Sequence, residues 1–141
     1  MNLVNWQIAP LLVHFLLTVT VGLTMLQTRI AAARSGQTRL ADVALSTAAW
    51  PERSRQFSNN FDNQFQLPMV WYGLTALLVA TGKLDGVTVA LSWAFVAARG
   101  VHTFIHVTIN NVVRRLFAYL AGFTALFALW GWFALRLFVL G

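Results

Sequence analysis

Four apolar stretches, at positions 8–26, 65–81, 87–109 and 116–135, take up more than half of this chain. A helix that crosses a bilayer needs about 20 mostly apolar residues. With 141 residues, of which 58% are hydrophobic and only 10% charged, little chain is left over for a separate water-exposed domain. The expected fold is an all-α integral membrane four-helix bundle in one domain covering residues 1–141. The first stretch is longer than a usual signal-peptide core, and its positive charge follows it instead of preceding it, so it reads as a retained helix.

The formal charge of +6 is distributed by topology. Arg29, Arg34, Arg39, Arg53 and Arg55 lie in the first connection, and Arg114 and Arg115 in the third. The second connection holds only Lys83 and Asp85, and the segment before the first stretch has no charged side chain. By the positive-inside rule, the first and third connections face the cytoplasm and both termini lie outside. The electrostatic partner to expect is anionic membrane lipid, not nucleic acid. There is no cysteine, which excludes disulfides, thiolate metal sites and a protein thiol nucleophile.

Within the connections, residues 34–60 form the longest polar run. Leu40, Val43, Ala44 and Ala48 have rough helical spacing there, which suits either an interfacial helix or a partly ordered loop. Pro68 permits a kink where the second span begins. Asn59, Asn63 and Gln66 are spaced i, i+4, i+7 and are expected on one helix face.

The third stretch carries Arg99, His102, His106 and Asn110. At about 100° per residue these four fall within roughly 80° of one another, a polar stripe on a membrane helix. Ionisable groups in hydrocarbon cost several kcal/mol each unless they face protein, water or a ligand, so the stripe marks a functional site. Asn110 is expected at the cytoplasmic surface, with His106 about 6 Å and Arg99 about 16 Å above it. Arg115, and Tyr119 one turn later, begin the fourth span at the same level, and Asn63 and Gln66 open the second. The outer half of the bundle reads as nearly all apolar. An amphiphilic ligand fits this pattern, its anionic head held by arginines and amides and its lipophilic part in the membrane. His102 and His106 have the i, i+4 spacing of a metal pair. The only other histidine, His14, is placed near the outer side by topology, so no metal is expected.

These motifs resemble those of the membrane-associated proteins in eicosanoid and glutathione metabolism. That family's third and fourth helices carry an Arg, a His three later, an aromatic at seven, an Arg at sixteen and a Tyr at twenty. Arg99, His102, His106, Arg115 and Tyr119 match, except that His106 stands for the usual Tyr. The second-helix pattern Asn-x-x-Glu before Pro is met by Asn63, Gln66 and Pro68, with Gln66 in place of Glu. Asn59 and Asp62 replace arginines that often precede the Asn. The block is most similar to that of a bacterial branch.

The resemblance implies a homotrimer in the bacterial inner membrane that binds glutathione between subunits near the cytoplasmic face. It implies a glutathione-dependent transferase or peroxidase acting on a lipophilic small molecule. Arg115 would stabilise the thiolate and Tyr119 would donate a hydrogen bond, while Asn59, Asn63, Gln66, Arg99, His102 and His106 would bind the ligand. The alternative is a non-catalytic lipid-binding or scaffold protein of the same fold. A small proton-coupled exporter needs an intramembrane carboxylate, and the four spans contain none.

Overall fold

The computed structural model describes residues 2–140. The chain forms helices α1 (Leu3–Arg34), α2 (Glu52–Asn63), α3 (Leu67–Ala80), α4 (Gly86–Val107) and α5 (Val112–Phe138), with one short 3-10 turn at Leu40–Val43. Among the described residues there is no strand. The fold is the expected all-α membrane bundle: α1, α4 and α5 are long and apolar enough to cross a bilayer.

The boundaries depart from expectation in two places. The first span begins five residues earlier and runs to Arg34, well past position 26. In the polar run 34–60, Glu52 opens a separate amphipathic helix that ends at Asn63. The chain then breaks and restarts as α3, with Gln66 as a non-helical N-cap and Pro68 in the first turn. Proline belongs there, because the N–H it lacks would find no partner in a first turn. Helix α3 has 14 residues, about 21 Å, so the second passage through the bundle is a broken helix made of α2 and α3. Of the possible interfacial helix around Leu40–Ala48, only the 3-10 turn is helical.

Local chemistry explains these elements. Asp85 caps α4 by accepting from the Thr88 backbone N–H at 2.9 Å, while Thr88 Oγ1 accepts from the Asp85 N–H at 3.1 Å. This reciprocal box satisfies two donors that a helix start leaves free. Asn111 caps α5 by accepting from the Arg114 N–H. In the apolar α1, the hydroxyls of Thr18, Thr20 and Thr24 donate to carbonyls one turn back, so these three are not left bare towards lipid.

The core lies between α3, α4 and α5, where Trp71, Leu74 and Leu78 meet Phe95 and Val96, and Leu126, Leu129 and Phe133. At Gly122 helix α5 packs on α4 at ordinary contact distance: a Cβ there would stand 3.6 Å from Ala98 and 3.8 Å from Cδ of Arg99. Helix α1 is pinned to α2 at Gly22, where a Cβ would come within 2.9 Å of the Phe61 ring. The outward faces of α1 and α5 carry Leu12, Phe15, Leu16, Phe117 and Phe127, all exposed. That is the surface of a helix solvated by lipid.

Candidate functional site

Arg99, His102 and His106 are buried along one side of α4, together with Thr103. Asn110 is not part of this helix. Helix α4 ends at Val107, and Asn110 sits in the turn to α5 with φ +45°. Asparagine tolerates that left-handed conformation better than most residues. From there its Oδ1 accepts from Arg115 NH1 at 2.9 Å, so the turn orients the arginine.

Arg99 has 1% of its surface exposed. The single ion pair among the described residues, Asp85 with Arg136, lies at the other end of the bundle. Arg99 instead donates from NH2 to the Asn63 carbonyl at 2.8 Å. Asn63 is the last residue of α2, so the break before α3 frees this carbonyl. The partial negative charge of a helix C-terminus then faces the guanidinium.

A second polar line faces the stripe from α2. Gln64 Nε2 donates to Asn60 Oδ1 and to Thr103 Oγ1, each at 3.0 Å. The Asn60 amide nitrogen lies 3.1 Å from His106 Nδ1. Gln56 donates to the His106 carbonyl at 2.6 Å, and Arg53 donates to the Val107 carbonyl. Asn60 and Gln64 escaped the sequence reading, which placed Asn59, Asn63 and Gln66 on the working face. The signal was present in the straight i, i+4, i+8 line of Gln56, Asn60 and Gln64. Packing uses that line, and the break after Asn63 takes Gln66 off the helix face it was expected to share.

The remaining histidine also departs from expectation. His14 is not near the outer side. Its Nδ1 is 2.8 Å from the Tyr72 hydroxyl, and its ring packs edge-on against Trp71. It therefore stands beside the start of α3, at mid-height in the bundle. Nor is the half near Asp85 almost wholly apolar. Buried Gln7 donates to Ser92 Oγ at 2.6 Å, Trp71 Nε1 reaches the same oxygen at 3.3 Å, and Trp132 Nε1 donates to Asp85 at 2.8 Å.

Two hollows at the arginine-rich end adjoin Arg115. The larger, about 430 Å³, is lined by Glu52, Arg55, Gln56, Asn59, His106, Asn110 and Arg115, with residues 46–48 at its edge. The second, about 250 Å³, is lined by Asn63, His102, Val112, Arg115, Leu116 and Tyr119. Arg115 belongs to both. Further along the seam between α3 and α5 an apolar hollow of about 140 Å³ follows, bounded by Leu67, Val70, Phe123, Leu126, Phe127 and Trp130. The structure thus gathers Asn63, His102, Arg115 and Tyr119 around one hollow, and Asn59 and His106 around its neighbour. Arg99 lies behind them and lines neither. Gln66 is exposed at the break and also lines neither.

The arrangement can hold an anion against Arg115, offer it the Tyr119 hydroxyl and the Asn63 amide, and take an apolar tail along α5. Neither the curated proteins nor the solved structures included a match to this chain. A model of the MAPEG family matches residues 7–135, nearly the whole chain and all the residues gathered around both hollows. With four passages of helix and a polar site between the second, third and fourth, the chain belongs to the MAPEG family, a family of membrane proteins some of whose members are glutathione-dependent transferases.

Proposed function

We propose that this protein is a glutathione-dependent transferase or peroxidase acting on a lipophilic substrate. One observation carries the reading: the polar hollow at Arg115 and Tyr119 and the apolar hollow at Phe123, Phe127 and Trp130 lie in succession along one side of α5. A hydrophilic thiol and a lipophilic electrophile could meet there. Glutathione brings carboxylates and a thiol, and the thiolate is the reactive form. The cation of Arg115 favours that form over the neutral thiol. Tyr119 donates a hydrogen bond to it, Asn63, Asn59, His102 and His106 hold the polar part, and Arg99 supports Asn63 from behind. Gln66 takes part only if a neighbouring subunit closes over the break. That suits the homotrimer typical of the family, with the arginine-rich end in the cytoplasm and both termini outside.

The altered second-helix anchor sets the weakest affinity to expect. Losing one partner of a semi-buried charged pair costs roughly 2–5 kcal/mol, enough to turn a micromolar binder into a millimolar one. Purified protein in mild detergent should therefore gain thermal stability with glutathione at millimolar concentration and show thiolate absorbance. Arg115→Ala should abolish the absorbance without preventing assembly. No stabilisation at high glutathione would overturn the reading.

A second reading has its own support. An apolar groove of about 800 Å³ runs between α1 and the broken helix, lined by Leu12, Phe15, Val19, Phe61, Phe65 and Met69 among others, away from Arg115. It suits a lipid-binding or scaffold protein of the same fold. Such a protein would co-purify with lipid and show no thiolate signal.

A further inference from the structure

We propose that Glu52 receives the ammonium group of the ligand, so that the site selects an amino-acid-headed thiol over a simple anion; the proposal rests on the glutathione reading above. With Gln66 uncharged and outside both hollows, the ammonium needs another carboxylate. The chain has four acidic residues: Asp42, Glu52, Asp62 and Asp85. Asp85 is committed at the opposite end to the α4 cap, Trp132 and Arg136. Asp42, Glu52 and Asp62 are all exposed, but Asp42 and Asp62 line none of the hollows at the arginine-rich end. Of the four, Glu52 alone lines the larger hollow, which Arg55 and Arg115 also line, and it forms no ion pair among the described residues.

The order of residues along α2 supports this placement. Glu52, Arg55, Asn59 and Asn63 follow one another at i, i+3, i+7 and i+11, so they share a face of the helix. Glu52, Arg55 and Asn59 line the larger hollow and Asn63 the smaller, while Arg115 faces both from α5. One carboxylate and two arginines thus border two polar hollows that share Arg115, the smaller of them reaching Tyr119. A ligand with one ammonium, two carboxylates and a thiol complements that set of charges. A lipid phosphate without an amine would leave the carboxylate unpaired.

Glu52 also sits in the first turn of α2, where an acidic side chain steadies a helix by its dipole whether or not a ligand binds. The test must separate the two roles. Thermal-shift titrations of the full-length protein in detergent would use glutathione and its desamino analogue, which lacks only the ammonium. Parent protein should bind glutathione about tenfold or more tightly than the analogue, the change expected when one charge pair is lost. Glu52→Gln should weaken glutathione to the level of the analogue and leave the analogue unaffected. Glu52→Asp should recover part of the preference, and Asp62→Asn should change nothing. If Glu52→Gln weakens both ligands equally, or neither, Glu52 is only a helix-start residue: the inference fails and glutathione binding stands. If parent protein binds neither ligand, both proposals fail.

Discussion

Asn110 does two separable jobs, and two substitutions pull them apart. Its backbone is left-handed at φ +45°, with its N–H bonded to the Ile105 carbonyl at 2.8 Å, and its side chain holds Arg115 at 2.9 Å. Alanine keeps neither the local tolerance for that backbone nor the side-chain acceptor. The backbone penalty for an ordinary residue is about 1–2 kcal/mol, and the lost, solvent-exposed hydrogen bond adds about 0.5–1.5 kcal/mol. Asn110→Ala should therefore destabilise the bundle by about 1.5–3.5 kcal/mol. Glycine adopts the conformation freely and loses only the side-chain hydrogen bond, so Asn110→Gly should cost about 0.5–1.5 kcal/mol. Ligand binding should respond differently. Both variants leave Arg115 to be ordered by the ligand, at about 0.5–1.5 kcal/mol for one long side chain, a two- to about tenfold loss of affinity. Thermal denaturation in detergent measures the first effect and glutathione titration the second. The reasoning is refuted if affinity tracks stability, falling for alanine and holding for glycine.

Arg99→Met removes a buried cation worth about 2.5–3.5 kcal/mol of insertion cost and a charge-assisted hydrogen bond worth about 1.5–3 kcal/mol. The two nearly cancel, so chemical denaturation should show a change below about 2 kcal/mol, and a larger loss would mark Arg99 as a strut of the bundle. Gly22→Ala should cost about 1–3 kcal/mol by overpacking Phe61; adding Phe61→Leu should restore stability, and failure to do so would show that α1 and α2 do not depend on this approach. Asp85→Ala loses the α4 cap and the Trp132 acceptor, for about 1–3 kcal/mol. Asp85→Asn has one acceptor oxygen, which can keep the cap but not also serve Trp132, and it forfeits a part-exposed ion pair worth about 0–1 kcal/mol, so its melting curve should lie between those of the parent and Asp85→Ala.

The bundle was legible because hydrocarbon imposes simple rules: long apolar runs become helices, and alternate connections carry the arginines. Arg99, His102 and His106 could be placed on one face because α4 is regular over their whole span. The readings failed where regularity stops. Asn110 was projected onto a helix that ends three residues earlier. Asn59, Asn63 and Gln66 were counted along one helix, but α2 ends at Asn63 and the break takes Gln66 off the face that the other two share. His14 was assigned its height by counting from an assumed end of the first span, yet α1 starts earlier and continues to Arg34. Gln7, Ser92 and Tyr72 are unremarkable in a list of residues, since a lone polar side chain on an apolar helix does not announce its partner on another.

The pairing of Arg99 with the Asn63 carbonyl also bears on how the chain is built into a bilayer. Alone, a helix with an arginine near its middle is a poor substrate for insertion. The acceptor belongs to the preceding passage, and only residues 81–85 separate α3 from α4. By the time Arg99 is synthesised, the broken helix that neutralises it is already made and tethered alongside. Vectorial synthesis from the N-terminus thus delivers the acceptor before the donor. A circular permutant that began at α4 would reverse that order and should stall at the membrane, even though its finished contacts would be the same.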